Sequence, residues 1–89
     1  MTPPIDIYII MNSLTNHNIE FEMTDEYIII HLGPSSYMKI TVHRSIITIA
    51  YSILRDNMFL DKCVVKARNL NDMIFEVYDI MNSYNDFIQ

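Results

Sequence analysis

The chain has 89 residues, of which 51% are hydrophobic, and carries a net charge of −5 with six basic residues against eleven acidic. That length holds one domain and one core, residues 1–89, and is too short for two. The excess of acid weighs against non-specific nucleic-acid binding, the lone Cys63 cannot close an internal disulfide, and Pro3, Pro4 and Asp6 stand where a signal peptide carries basic residues, so an intracellular chain with no membrane span is expected.

Residues 3–15 read as a helix. Thr2 can cap it, prolines are tolerated in a first turn, and Ile7, Ile10, Met11 and Leu14 then share one face. Asn16 to Asn18 end it. Residues 19–23 alternate Ile19, Phe21 and Met23 with Glu20 and Glu22, the pattern of a half-buried strand. Thr24-Asp25-Glu26 makes a turn into a second strand at 27–32. Gly33-Pro34-Ser35-Ser36 is the strongest turn signal, and a third strand follows at 37–43. For Ile28, Ile30 and Leu32 to share a face with Met38, Ile40 and Val42, partner numbers must sum to an even value, which requires a loop of three or five residues or a bulge.

Residues 46–54 fit a helix by spacing and a strand by composition. The run Ile-Ile-Thr-Ile is β-branched and favours the strand. A turn at Arg44-Ser45 then pairs Val42 with Ile47, Thr41 with Thr48 and Ile40 with Ile49, matching like with like, although Arg-Ser is a poor composition for a tight hairpin turn. Asp56-Asn57 turns the chain into a fifth strand at 59–68, with Cys63, Val65 and Ala67 on one side and Lys62, Val64, Lys66 and Arg68 on the other. Asn69 or Asn71 caps a closing helix whose apolar stripe is Leu70, Met73, Ile74, Val77, Met81, Tyr84 and Ile88. Asp72, Asp79, Asn82, Asn85 and Asp86 form its solvent side. The order α-β-β-β-β-β-α with short links predicts an α+β two-layer sandwich: a four- to five-stranded antiparallel meander with both helices packed on one face.

The uncovered face of that sheet is expected to carry Tyr27, Ile29, Tyr37, Thr41, Ile46, Thr48 and Val64. A surface with several large apolar groups marks an interaction site, and the simplest occupant is a second copy in a two-fold homodimer. Edge-to-edge strand pairing is the other form. A second candidate surface is acidic: Glu20, Glu22, Asp72, Glu76 and Asp79. By charge complementarity it suits a basic site on another protein, as when a small acidic protein occupies the nucleic-acid site of a host enzyme. Residues with AT-rich codons (Ile, Asn, Met, Tyr) are abundant while Gly, Ala and Arg are scarce, which suits a virus or mobile element and a host or viral protein as partner. The alternative is nucleic-acid binding on the same sheet face, with Lys39, Lys62, Lys66 and Arg68 meeting phosphates and Tyr27 and Tyr37 stacking on bases.

Signs of chemistry are lacking. His17, His31, His43 and Cys63 have neither C-x-x-C nor H-x-x-x-H spacing, so neither a metal nor another cofactor is expected. The single glycine, Gly33, excludes G-x-S-x-G and Gly-rich phosphate loops. The chain reads as a non-enzymatic interaction module.

Overall fold

The structure, a computed structural model, describes residues 5–33, 35–55 and 58–87, with residues 53–65 and 85–87 described by their backbone alone. Helix α1 (Ile7–Asn16) leads into strands β1 (Glu22–Met23), β2 (Ile28–Gly33), β3 (Ser36–His43), β4 (Ile46–Arg55) and β5 (Met58–Ala67), and helix α2 (Leu70–Phe87) closes the fold. The strands form one antiparallel sheet in the order β1-β2-β3-β4-β5. This is the expected α+β meander, and residues 46–54 are strand.

Helix α1 begins at Ile7, later than the sequence pattern places it. Asp6 is the cap: its carboxylate accepts the Ile9 N–H at 3.0 Å, serving a donor with no partner inside the helix. The expected cap Thr2, with Pro3 and Pro4, lies outside the described residues.

The other end of α1 explains why β1 has only two residues instead of the five expected at 19–23. Asn18 is left-handed at φ 58°, the Ile19 N–H donates to the Leu14 carbonyl at 3.0 Å and the Asn18 N–H to the Thr15 carbonyl at 3.1 Å. That is a Schellman cap, and the residue after its left-handed position is typically apolar and folds back on the last turn. Ile19 is therefore buried as part of the helix stop, beside Leu14 in the core, and the chain joins the sheet only at Glu22.

The β3–β4 register pairs Val42 with Ile47, Thr41 with Thr48 and Ile40 with Ile49, the like-with-like match read from the sequence. Arg44 and Ser45 both take positive φ, 51° and 62°, the conformation a type I′ hairpin turn demands despite their side chains. Ser45 gains a second role there, its Oγ accepting the Ile5 N–H at 3.0 Å and tying the start of α1 to the turn. Between β2 and β3 the even register (Ile28 with Ile40, Ile30 with Met38) holds up to His31 and then slips, leaving a bulge at Leu32. Beyond the hairpin, β4 and β5 run past the point where β3 ends opposite Ser52, as a two-stranded ribbon.

The core lies on one side of the sheet. Ile28 and Ile30 from β2, Met38 and Ile40 from β3, Ile47 and Ile49 from β4 and Ala67 from β5 are buried in one cluster with Ile10 and Leu14 of α1 and Met73, Ile74, Val77 and Ile80 of α2. Both helices thus cover the same face. Each fully buried isoleucine contributes about 1.5–3 kcal/mol to that layer. Helix α2 starts at a true cap: Asn69 Oδ1 accepts the Asp72 N–H at 2.8 Å, and the Asn69 amide donates back to the Asp72 carboxylate at 3.2 Å. Near its other end the Tyr84 ring presses against Gly33, so closely that a Cβ there would run into the phenol. Gly33 does not have positive φ; the chain needs glycine here for close approach, not for a turn.

Candidate interaction surfaces

The opposite face of the sheet has no layer over it among the described residues. Its cross-strand rows follow from the register. Ile29 stands beside Lys39, Lys39 beside Ala50, and Ala50 beside the backbone of Val64. In the next rows Thr41 meets Thr48 and Thr48 meets Lys66, while His31 meets Tyr37 and His43 meets Ile46. Tyr27, Ile29, Thr41, Thr48 and Ala50 are half-buried, held by their neighbours in the sheet. Tyr37 and Ile46 are 40% and 43% exposed. Six of the seven residues expected on this face therefore present their side chains to it; the side chain of Val64 lies outside the described residues.

The charge on this face is unevenly spread. At the β1 edge Glu20, Glu22, Asp25 and Glu26 are exposed. At the β5 edge Lys66 and Arg68 are exposed, and Lys62 occupies the same strand where the β4–β5 register shifts, its side chain undescribed. Lys39, in the middle, lays its ammonium over the Tyr27 ring at 4.3 Å from the centroid. That cation–π contact draws the charge towards β2 and leaves the amine partly engaged. Glu22 reaches across to the exposed imidazole of His31 at 3.0 Å, a surface pair of little energetic weight. Of the cations expected to meet phosphates, Lys66 and Arg68 stand exposed on an edge, with Glu22 at the far edge of the same face and Asp25 and Glu26 exposed in the link between β1 and β2.

The expected acidic surface divides between two places. Glu20 and Glu22 flank the sheet edge, beside an open cleft of about 500 Å³ lined by Ile19, Phe21 and His31 as well. Asp72, Glu76 and Asp79 lie on α2, in the helical layer. Asp72 is partly engaged as the cap partner of Asn69. In their midst is a residue the sequence pattern leaves unassigned: Phe75, three after Asp72 and four before Asp79, is 69% exposed. Helical spacing puts it opposite the buried stripe of Met73, Val77 and Ile80. Its neighbour Tyr78 is also exposed and donates its hydroxyl to the His17 carbonyl at 3.1 Å, with the His17 ring edge-on at 6.4 Å. The helical period alone marks Phe75 as solvent-facing; only its apolar character hides it. The core residue Ile80 escapes the sequence pattern for the converse reason, since Met81 beside it also fits the stripe.

Among the described residues no group of three His, Cys, Asp or Glu side chains is placed to hold a metal. No buried side-chain nitrogen or oxygen among them lacks a hydrogen-bond partner. No helix among them is long and apolar enough to cross a membrane. Comparison with protein-family models, with curated proteins and with solved structures gives no match to this chain.

Proposed function

We propose that this chain is a non-enzymatic protein-interaction module that forms a homodimer through the open sheet face and binds a second, basic protein through the outer side of α2. The observation that carries the reading is the open face itself. Tyr27, Ile29, Tyr37 and Ile46 lie on one face of the five-stranded sheet with no element over them among the described residues. Exposed apolar groups of this kind gain from burial against another surface, and a second sheet packs on such a face at about 10 Å. Edge pairing is the weaker form of self-association here. Strand β5 carries Lys62 and Lys66 and an internal register shift, all of which blunt an edge, and β1 is only two residues long.

The outer side of α2 supports a different partner. Asp72, Phe75, Glu76 and Asp79 place an aromatic group among carboxylates, and the helix contains no Lys, Arg or His. A partner with an apolar pocket rimmed by lysine or arginine suits it. The residue bias towards AT-rich codons suits a virus or mobile element as the source and a host or viral protein as that partner, in the host cell interior. Sedimentation equilibrium over a concentration series, with and without a single-stranded oligonucleotide, tests the reading. A monomer–dimer equilibrium indifferent to the oligonucleotide is expected. A protein that stays monomeric at every concentration overturns the dimer, and salt-sensitive oligonucleotide binding that falls with Lys62→Ala and Lys66→Ala replaces it by the nucleic-acid alternative.

A further inference from the structure

The open face is polarised across the strands, acidic at β1 and basic at β5, and this arrangement dictates how two copies can meet. When two sheets stack face to face with two-fold symmetry, the axis lies in the plane between them. An axis running across the strands lays β1 on β1 and β5 on β5, so that Glu22 and Glu26 meet their own copies and Lys66 and Arg68 meet theirs. An axis running along the strands exchanges the edges, laying the β1 edge of each copy over the β5 edge of the other. We infer that the dimer axis runs along the strands, directly over β3, so that Lys66 and Arg68 of each copy sit above Glu22, Asp25 and Glu26 of its mate. This rests on reading the open face as a self-docking surface.

The sheet topology supports the match residue by residue. With five strands in simple order, β3 is central and the two edges are equidistant from it. Rotation about an axis along β3 keeps each cross-strand row in register with itself. Lys66 pairs with Thr48, and Thr48 with Thr41. Continuing the β2–β3 register carries the same row to Tyr27, and the β1–β2 register carries it on to Thr24, with Glu22 two residues along β1. Lys66 therefore falls within side-chain reach of Glu22 of the other copy. Arg68 lies further along, on the same side as Asp25 and Glu26. The contact occurs twice by symmetry.

Among the described side chains, Lys39 meets its like-charged copy, because β3 carries it onto the axis. The Tyr27 contact resolves it: the ammonium leans over a β2-side ring at 4.3 Å, so the two amines lie on opposite sides of the axis. The central rows then bring Ile29, Ala50, Thr41 and Thr48 into the dry middle.

Two charge-reversed variants test this. The all-acidic variant carries Lys66→Glu and Arg68→Glu, so that both of its edges are negative; the all-basic variant carries Glu22→Lys and Glu26→Lys. All four residues are exposed, so each variant is expected to keep its fold, checked by circular dichroism. Alone, each variant dimerises about ten-fold or more weakly than the parent, because attractive pairs become repulsive ones on both sides of the axis. Mixed one to one, the two variants restore the parent affinity to within about three-fold, since the reversed side chains of one variant face the reversed side chains of the other as opposite charges. If the parent dimerises but the mixture is no tighter than either variant alone, the charged edges do not meet in the dimer, and both the axis assignment and the open face as dimer surface fail. Preferential pairing of the all-acidic variant with the unmodified protein identifies an axis across the strands and likewise overturns it. A monomeric parent instead removes the dimer itself.

Discussion

The open sheet face and the outer side of α2 both expose aromatic residues, yet they differ in how charge is laid around them. On the sheet, Tyr27, Tyr37 and Ile46 lie between an acidic edge and a basic one; on α2, Phe75 lies among carboxylates with no cation in the helix. A surface that carries both signs on opposite borders is complementary to itself after a two-fold rotation. A surface of one sign repels its own copy and calls for a different molecule. On the proposed function, the same aromatic chemistry serves a second copy in one place and another protein in the other. The difference lies in where a few charged side chains fall on an otherwise ordinary scaffold.

The largest expected effect breaks the first surface. Ile29→Glu with Thr48→Glu places carboxylates in the central rows of the open face, where dimer burial would desolvate them. The dimer dissociation constant should rise by about 100-fold or more, equivalent to about 2.7 kcal/mol, while the far-ultraviolet circular dichroism stays unchanged because both positions face away from the core. A dimer that survives this pair uses some other surface, and the contrast between the two faces loses one side.

Gly33→Ala comes next and acts on the scaffold beneath both surfaces. The new Cβ meets the Tyr84 phenol, which is itself buried, so the ring must shift within the core. Overpacking of this kind costs about 1–3 kcal/mol, readable as a lower urea midpoint with an unchanged slope. Dimer affinity measured well below the transition should hold, since the strain lies on the helix side of the sheet. Tyr84→Phe in the same background relieves part of the loss, because the hydroxyl is the atom nearest the added Cβ. No relief would mean that the backbone of Gly33, not the approach of Tyr84, sets the cost.

Much of the scaffold is legible from residue chemistry, for reasons that also explain the failures. The β3–β4 register follows from three like pairs, Val42 with Ile47, Thr41 with Thr48 and Ile40 with Ile49, because facing residues share a layer and so share a polarity. The same logic requires an odd loop or a bulge between β2 and β3, and the structure resolves the choice as a bulge at Leu32. It fails at 19–23, where alternation looks like a strand; burial of Ile19 comes instead from the Schellman cap of α1, a helix-end device that leaves the same alternating trace. The open face is legible as the reverse side of the core pattern. Phe75 is not, because an aromatic on the polar side of a helix carries no partner in its own sequence. The Glu22–His31 contact depends on where the short β1 strand joins β2, which a five-residue strand at 19–23 obscures.

Phe75→Ala sharpens the second surface. A side chain 69% exposed on the side of α2 opposite the core adds little to the folded state. Its loss should change stability by less than about 0.5 kcal/mol and leave dimer affinity as it was, the two measured by thermal melting and sedimentation. A drop of more than about 1 kcal/mol would make the ring part of the scaffold and leave α2 without an anchor for a partner.

The smallest effect carries an unusual sign. Glu76 sits four residues after Asp72 and three before Asp79, so α2 holds two like-charge neighbour pairs on its surface. Such pairs cost a few tenths of a kcal/mol each, and opposite pairs return a similar amount. Glu76→Lys converts both at once and should raise stability by about 0.5 kcal/mol at low ionic strength, with the gain fading near 1 M salt, where the Debye length falls to about 3 Å. Asp72 is a worse site for the same test, because its carboxylate answers the Asn69 cap and its reversal removes a favourable charge from the helix start. Stabilising surface substitutions are common in natural proteins, so the gain by itself assigns no role. If the proposed basic partner docks on α2, the same substitution should also weaken its binding. A Glu76→Lys protein less stable than the parent at low salt would show that the carboxylate belongs to the fold, and the acidic face would lose its reason for being acidic.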